Sequence, residues 1–335
     1  MKAVLLGNEA GVENIVFTDI IDPGQPGKGE IRVRIHNVSL NFHDYNVAAG
    51  ILPAQAGRIL MSDGAGTVES VGEDVTDFLP GDAVVSTFFP DWDKGECPLA
   101  GFSRTPGDGI DGYATEYVVR PARFFTHAPS GWTHAEASTL PTAALTAWRA
   151  LITEGELRPG EDVLILGTGG VSVFALQLAK MTGARIWGTS SSEEKMAWLR
   201  DQGVAGVVNY REEPHWGKKI FELTGGRGVD HVIEIGGPGT LAQSIAAARI
   251  GGRITLIGVF TGIAGEVPTA AIMGKQLTVQ GITVGSREHQ KEMIRAFEAS
   301  DARPVIDKIL PLRELQDAFR HQLAGKHTGK IVIEI

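Results

Sequence analysis

The feature that most constrains the fold is a regular alternation of short apolar runs with amphipathic segments in the middle of the chain. The apolar runs have the length of strands, and the segments between them, such as VSVFALQLAK and EEKMAWLRDQ, have the spacing of helices. Strands that are apolar on both faces are typical of parallel sheets covered by helices on each side. The middle of the chain is therefore predicted to be a doubly wound α/β domain. Its strands are DVLIL, RIWGT, GVVNY, VDHVIEI and GRITLIG.

The residues before about Arg123 have a different pattern. Short runs with a period of two, such as EIRVRIHNVSL and YATEYVV, are separated by Gly and Pro, which indicates antiparallel strands. The tail of the chain holds two more strand-like segments, LTVQGITVG and KIVIEI, and is too short for a third domain. We expect its strands to complete the first domain. The predicted domains are residues 1–126 with 266–335, and residues 127–265.

Composition narrows the class of protein. Cys97 is the single cysteine among 335 residues, so a disulfide framework within the chain and a Cys-rich structural zinc site are excluded, and a cytoplasmic location is expected. The formal net charge of −9 argues against nucleic acid or an anionic membrane as the main partner. The most apolar window is interrupted by GTGG and is too short to span a bilayer. A small molecule is the expected partner.

A glycine-rich turn, GTGG, joins the first strand of the doubly wound domain to a helix. Amides at the start of a helix face an anion, and glycine lets that anion approach the backbone, so the turn is predicted to bind a pyrophosphate. The third glycine of the usual G-x-G-x-x-G pattern is Ser172, which is small enough to keep the helix close to the strand. A turn without a ligand is the alternative. The residues predicted to bind the pyrophosphate are Gly167, Thr168, Gly169, Gly170 and Val171.

Two later strands of the same domain also end in glycine. Gly236 follows VDHVIEI, and Gly258 ends GRITLIG with Val259 directly after it. The carboxyl ends of parallel strands meet at the crevice where such sheets bind ligands. These three residues are therefore predicted to lie beside the cofactor.

The tip of the second strand indicates which dinucleotide would bind. An NAD site has an acidic residue there, which binds the ribose 2′-hydroxyl. Here Ser190 and Ser191 stand at the tip and Lys195 follows closely, with no acid at the tip itself. Hydroxyls and a lysine can bind a 2′-phosphate, so NADPH is predicted over NADH. The serines could also form a capping box with the glutamates that follow them, and both roles can hold at once.

Over essentially its whole length the chain resembles the medium-chain dehydrogenase/reductase family, most closely its zinc-independent alcohol dehydrogenase and quinone oxidoreductase branch. The matching strings are SLNFHDYN, SDGAGTVESVGEDVTDFLPGD, DGYATEYVV, ASTLPTAALTAW, GTGGVS, GTSSSEEK, VVNYREE and GRGVDHVIEIGG. The resemblance implies a GroES-like, β-rich catalytic domain and a Rossmann domain that binds NADP(H). It also implies pairing of chains, and because LTVQGITVG could lie at a sheet edge, we expect a homodimer.

The zinc alcohol dehydrogenases of this family hold a catalytic metal with a Cys, the His of a Gly-His-Glu string, and a later Cys or Asp. The matching positions here are Asn41, Ser62 with Asp63, and Thr142. None offers a thiolate or an imidazole, so a tetrahedral zinc is not expected. Reduction of a simple ketone gives an alkoxide that needs a metal or a proton donor, whereas a quinone or an enone gives a more stable anion. The loss of the ligands therefore favours a quinone or an enone as substrate.

The resemblance also implies roles for four further residues. Asn41 and Thr146 should face the nicotinamide, Tyr210 the adenosine 2′-phosphate, and Lys330 the pyrophosphate. Tyr210 and Lys330 could equally be surface residues at strand ends.

His43 takes the place of the relay hydroxyl of the family and titrates near neutral pH, so it is the candidate proton donor. A purely structural hydrogen bond of His43 is the alternative. A metal pair formed by His43 and Asp44 is disfavoured, because neighbours on a strand point to opposite faces.

Together these features predict a zinc-independent oxidoreductase that transfers a hydride from NADPH to a quinone or an activated enone. Two alternatives stay open. One is a metal-free NAD(P)-dependent alcohol or aldehyde dehydrogenase, and the other is an NADPH-binding protein with a structural or regulatory role and little turnover.

Overall fold

The computed structural model describes residues 1–98 and 101–335 of the chain. Strands form most of the framework in these residues. The strands are β1 (Lys2–Leu5), β2 (Val16–Asp19), β3 (Glu30–Ser39), β4 (Asp63–Val71), β5 (Ala83–Ser86), β6 (Tyr117–Pro121), β7 (Phe125–His127), β8 (Asp162–Leu166), β9 (Arg185–Ser190), β10 (Gly206–Asn209), β11 (Val229–Glu234), β12 (Ala248–Leu256), β13 (Thr278–Gly281), β14 (Ile306–Pro311) and β15 (Lys330–Glu334).

Helices connect and cover these strands. They are α1 (Phe42–Ala48), α2 (His134–Ala137), α3 (Leu145–Trp148), α4 (Gly170–Thr182), α5 (Glu193–Asp201), α6 (Trp216–Leu223), α7 (Pro238–Ala247), α8 (Thr269–Lys275), α9 (Arg287–Glu298) and α10 (Leu315–Leu323). Two π-helical segments, Leu140–Ala144 and Arg149–Thr153, lie on either side of α3. Short 3₁₀ turns form at Val12–Asn14, Gly101–Arg104, Ala122–Phe124 and Leu312–Glu314. None of the helices in these residues is long and apolar enough to cross a membrane.

The chain divides into two units. Unit 1 holds Met1–Leu145 and Val284–Ile335, and unit 2 holds Thr146–Thr283. The domain limits predicted from the sequence, after residues 126 and 265, lie earlier in the chain than the limits of these units.

Unit 2 contains the predicted doubly wound sheet. Its six strands are all parallel and lie in the order β10-β9-β8-β11-β12-β13, so the chain starts in the middle, moves to one edge, and then returns to build the other half. Every residue of β8 and β11 is buried, which is why the apolar residues of these strands occur on both faces of the sheet. One face of the sheet packs against α6 and α7 in a core that includes Leu164, Val232, Ile254, Ile220, Leu241 and Ile245.

Unit 1 contains a seven-stranded, mainly antiparallel sheet whose organising strand is β3. The ten residues of β3 pair with β4 along most of their length, with β6 at the start, and with β15 at the end. The β-rich first domain and the α/β fold class predicted from the sequence are therefore confirmed.

The two strand-like segments of the tail belong to different sheets. The prediction is correct for KIVIEI, because β15 lies between β14 and β3 in unit 1. It is wrong for LTVQGITVG, because β13 pairs in parallel with β12 in unit 2, with Arg253 opposite Thr278. The helix α8 provides the crossover that a parallel connection requires. As expected, β13 lies at a sheet edge.

Candidate functional site

The positions that match the family's metal ligands come together in unit 1, where they form a hydrogen-bonded cluster. The Asn41 amide donates to the Asp63 carboxylate, with Nδ2 at 2.8 Å from Oδ2, and lies 3.2 Å from the Ser62 hydroxyl. The Thr142 hydroxyl donates to the other carboxylate oxygen of Asp63 at 2.6 Å. We call this group, with Ser39 and Lys330, the Asp63 cluster.

Strand pairing explains why residues so far apart in sequence meet. Ser39 at the end of β3 lies opposite Asp63 at the start of β4, and opposite Val332 in β15. Lys330 at the start of β15 and Asn41 just after β3 are consequently at the same end of the sheet. Thr142 comes from the π-helical segment Leu140–Ala144, a wide turn of a kind found frequently at functional sites.

Lys330 supplies a buried positive charge to the cluster. Its ammonium donates to the Leu40 carbonyl and to Asn41 Oδ1, both at 2.6 Å, and lies 3.9 Å from Asp63 Oδ2. Burial lowers the pKa of this ammonium, while Asp63 and Asp44 oppose that shift. The resemblance led us to expect Lys330 at a pyrophosphate, but its contacts are inside the Asp63 cluster, so this role stays a prediction.

Asp63 is fully buried, and burial raises the pKa of its carboxyl to about 6. The nearby Lys330 charge lowers that pKa, whereas Asp44 raises it further, and hydrogen bonds from Asn41 and Thr142 favour the ionised form. The carboxyl is therefore held with a proton affinity much nearer neutrality than an exposed aspartate.

The Asp63 cluster does not match a zinc site. Its donors are an amide, hydroxyls and one carboxylate, and they bind one another. A tetrahedral zinc needs thiolate, imidazole or carboxylate ligands at several of these positions. Among residues 1–98 and 101–335, no group of three His, Cys, Asp or Glu side chains could hold a metal.

His43 lies in the first turn of α1, not on a strand as the sequence suggested. The helix begins here because the Asp44 carboxylate accepts the amide of Asn41 at 2.8 Å, which caps the helix. The His43 ring has carboxylates at both nitrogens, with Nε2 at 3.0 Å from Asp108 and Nδ1 at 3.5 Å from Asp44. Burial alone would lower the pKa of His43, but these two carboxylates raise it to about 9. The contacts support the structural alternative for His43, and the proton-donor role stays a prediction.

Unit 2 carries the predicted pyrophosphate turn between β8 and α4. Gly167 has a φ of +70°, and Gly169 is the residue that precedes the helix. An added Cβ at either glycine would meet nothing within 4 Å, so an open space lies against the first amides of α4. Thr168 is 2% exposed, and its hydroxyl oxygen has no hydrogen-bond partner within the described residues. An orphaned hydroxyl beside an open helix start fits a bound dinucleotide phosphate.

The substitution of the third glycine by Ser172 also has a structural explanation. The Ser172 hydroxyl donates to the Leu166 carbonyl at 2.7 Å. This bond ties the first turn of α4 to the end of β8, where glycine would give close packing alone.

The tip of β9 differs in one detail from the sequence interpretation. Ser192, rather than Ser190 or Ser191, caps α5, because its hydroxyl accepts the amide of Lys195 at 3.2 Å. Ser190 instead lies next to the loop that follows β10, since its carbonyl accepts the amide of Tyr210 at 3.1 Å. The tip of β9 and the half-exposed Tyr210 are therefore brought together, as the predicted 2′-phosphate site requires.

Glu234 is a residue of this region that the sequence interpretation missed. Its buried carboxylate accepts the amides of Gly236 and Gly237 at 2.7 and 3.0 Å and the Thr240 hydroxyl at 2.6 Å. The signal was an acid two residues before a glycine pair at a strand end. Glu234 thus fixes the turn in which Gly236 was predicted to contact the cofactor.

Gly258 has a role in packing, because an added Cβ would stand 2.1 Å from the Ile235 carbonyl oxygen. Val259, the next residue, is 46% exposed. Thr146 is buried in α3, within unit 2. The contacts of these three residues with a cofactor stay predictions.

A β-rich unit with a polar cluster and a parallel sheet with a dinucleotide-type turn together define an NAD(P)-dependent oxidoreductase. Residues 27–130 match the alcohol dehydrogenase GroES-like domain family, and residues 170–299 match the zinc-binding dehydrogenase family. The zinc-type alcohol dehydrogenase-like protein C1773.06c of Schizosaccharomyces pombe (strain 972 / ATCC 24843) is 39% identical over 322 residues, which are 93% of each protein. The chain therefore belongs to the medium-chain dehydrogenase/reductase family, in its zinc-type alcohol dehydrogenase-like group.

Solved structures share the whole fold. A structure of an NAD-dependent alcohol dehydrogenase is 32% identical with a TM-score of 0.91, and the match covers 100% of both chains. The structure of CurK enoyl reductase is 24% identical with a TM-score of 0.82 and covers 99% of both chains, which shows a shared fold. The neighbours of this chain thus include both alcohol dehydrogenases and enoyl reductases.

The environment of His43 leads to a pH-dependent contribution to stability. A folded pKa of about 9, against 6.5 unfolded, means that charged His43 stabilises the fold fully below pH 6.5, and that this contribution is lost as pH rises through 9. We expect His43→Gln to lower the free energy of unfolding by about 2 to 3 kcal/mol at pH 6. The difference from wild type should shrink to less than about 1 kcal/mol at pH 10. Urea unfolding at pH 6, 8 and 10 measures it.

The matched control is His215→Gln, since His215 is exposed, and it should change stability little at any of these pH values. An equal loss for His43→Gln at pH 6 and pH 10 would contradict the assignment of a charged His43.

Proposed function

We propose that this chain is a zinc-independent, NADPH-dependent oxidoreductase that reduces a quinone or an activated enone. The observation that carries the proposal is the Asp63 cluster, in which amide, hydroxyl and carboxylate groups bind one another at the positions of the metal ligands. The cluster already contains a cation, because the Lys330 ammonium lies 3.9 Å from Asp63. A metal ion entering there would be repelled by that charge and would have to displace these hydrogen bonds.

The residues of unit 2 would hold the cofactor. The amides at the start of α4 face the open space at Gly167 and Gly169, and the Thr168 hydroxyl offers a further hydrogen bond to a phosphate oxygen. When bound, NADPH supplies a hydride. The chain itself contributes binding and orientation.

The proposed chemistry of the acceptor follows from the donors of the Asp63 cluster, which are an amide, hydroxyls and one carboxylate. A quinone or an enone that receives a hydride becomes an anion whose charge is delocalised, and such an anion needs less stabilisation than an alkoxide. The amide and hydroxyl donors of Asn41 and Thr142 are of the kind that can orient an oxygen of such a substrate. Alcohol dehydrogenation is the second candidate, and it is favoured by the names of the relatives.

A substrate panel tests the proposed reaction. Wild-type protein, with and without a chelator, is assayed for NADPH absorbance against quinones, enones and aldehydes, and for NADP⁺ reduction with secondary alcohols. We expect quinones or enones to have kcat/KM values about 100-fold above those of aldehydes and alcohols, with no effect of the chelator. A requirement for added zinc, or a preference for alcohols, contradicts the proposal. Tight NADPH binding without turnover on any substrate supports the structural or regulatory alternative.

The cofactor preference is tested separately. Ser190 and Ser191 stand at the tip of β9 with no acid, and Lys195 lies in the first turn of α5. We expect NADPH to bind at least about tenfold more tightly than NADH, which corresponds to roughly 1.4 kcal/mol. Lys195→Ala should weaken NADPH about tenfold and leave NADH unchanged, as measured by isothermal titration calorimetry. The control is Lys218→Ala, an exposed lysine of α6. Tighter NADH binding, or an equal loss for both cofactors, contradicts the preference.

We further propose that two copies of the chain pair along β13. In the described residues this strand has one neighbour, β12, and leaves its other edge available. Large exposed apolar side chains lie on it and in the segment before it, namely Phe260, Ile263, Met273 and Val279. An open edge with exposed apolar side chains on it and in the segment before it is a surface that a second copy can cover through a two-fold axis.

The dimer is tested by light scattering after size-exclusion chromatography. We expect wild type at twice the chain mass of 35.7 kDa. Val279→Lys should shift the protein to the monomer, because it puts two charges into the joined edge. The control is Ile309→Lys at an exposed apolar position of unit 1, which should stay dimeric. A monomeric wild type, or a dimer that survives Val279→Lys, contradicts this interface.

A further inference from the structure

The members of the Asp63 cluster are almost completely buried, with one exception. Ser39, Ser62 and Asp63 have no exposed surface, and Lys330 and Asn41 are at most 7% exposed. Thr142 is the partly exposed member of the cluster. The buried carboxyl group is therefore bonded, at 2.6 Å, to the hydroxyl of the member of the cluster that is partly exposed.

We propose that Asp63 and Thr142 form a proton relay that protonates the reduced substrate, with Asn41 and Lys330 as positioning residues. The inference rests on the proposed function, since it concerns the proton that must follow the hydride. Thr142 is the residue that touches the substrate oxygen, and Asp63 acts through it. The relay takes the role for which His43 was the sequence candidate, because both His43 nitrogens already face carboxylates.

The proton transfer is balanced in atoms and charge. After hydride addition the substrate carries an oxyanion, which takes the proton of Thr142 Oγ1. Thr142 takes the proton from Oδ1 of Asp63 in its acid form, so that one O–H bond breaks on Asp63 and one forms on the product. Asp63 remains as a carboxylate beside Lys330, and it regains a proton from solvent through Thr142 after the product has left.

The electrostatics of the cluster suit this cycle. Burial raises the pKa of Asp63 to about 6, so a fraction of molecules carries the proton near neutral pH. After the transfer, the Asn41 amide and the Lys330 charge stabilise the carboxylate. The charged and titratable groups that face Asp63 are Lys330 from β15, Asp44 from α1 and the buried phenol of Tyr113.

Lys330 and Asn41 orient the Asp63 carboxyl group and do not themselves transfer the proton. The ammonium at Asn41 Oδ1 forces the amide to present its NH₂ group to Asp63 Oδ2. The remaining carboxylate oxygen, Oδ1, is thereby directed to Thr142. The proton consequently lies on the oxygen that leads outward.

Thr142→Val tests the relay, since it removes the hydroxyl with little change in shape. In wild type, kcat/KM should decline above pH 6. In Thr142→Val we expect enone turnover to fall about 100-fold and this decline to disappear. Thr142→Ser should restore both the rate and the pH dependence. An unchanged Kd for NADPH shows that the Thr142→Val protein is folded.

Two further measurements isolate Asp63. Infrared difference spectra of the protein without cofactor should show a protonated carboxyl band that disappears with a midpoint near pH 6 in wild type, and that is missing in Asp63→Asn. The matched control is Ser70→Ala, which removes a hydroxyl of the same strand, β4, whose partner is Gln25 and not Asp63. We expect Ser70→Ala to keep the decline above pH 6.

The possible results distinguish failure of the proton relay from failure of the proposed function. If wild type reduces a quinone or an enone and Thr142→Val keeps the same rate and pH profile, the relay is overturned while the proposed function stands. If no infrared band titrates near pH 6, Asp63 does not supply the proton. If wild type does not oxidise NADPH with any of the acceptors tested, the proposed function is wrong, and the relay is wrong with it.

Discussion

Unit 1 depends on burying the Lys330 ammonium next to the Asp63 carboxylate without leaving either charge unpaired. Removing two ions from water is costly unless good geometry and additional hydrogen bonds offset the loss. Here Asn41 joins the two groups, since it accepts from Lys330 and donates to Asp63. The Leu40 carbonyl also accepts from Lys330, and the hydroxyls of Thr142 and Ser39 donate to Asp63. The charges therefore hold together the end of β3, the starts of β4 and β15, and the π-helical segment.

The same pair explains how a fold shared with metal enzymes can lack the usual ligands. A metal supplies positive charge where a substrate oxygen becomes negative. In this chain an ammonium supplies the positive charge of the cluster, and a hydroxyl backed by a carboxyl group stands at its partly exposed end. Under the proposed function, this arrangement supplies protons and hydrogen bonds in place of a Lewis acid, which would suit acceptors whose reduced form is already a stable anion.

Unit 2 was predictable because its pattern comes from simple geometry. Strands buried on both faces must be apolar, and a strand that leads into a helix beside a phosphate requires glycine. The sheet and the turn at Gly167 followed from those two requirements. The 2′-phosphate site at Ser190 was inferred instead from the missing acid at the strand tip, and it stays a prediction. The register of the α5 cap did not, because Ser190, Ser191 and Ser192 are equivalent in sequence and only the backbone conformation selects Ser192.

The sequence by itself determined the fold class and the glycine turn, since these depend on residue type and local spacing. Tertiary structure alone decided which sheet received β13, because strand periodicity does not identify the neighbour. It also decided that Lys330 lies within hydrogen-bond distance of Asn41, 289 positions away, and that His43 lies between two carboxylates. The Lys330 contact arises from strand pairing and the His43–Asp108 contact joins residues 65 positions apart, so no local pattern encodes either of them.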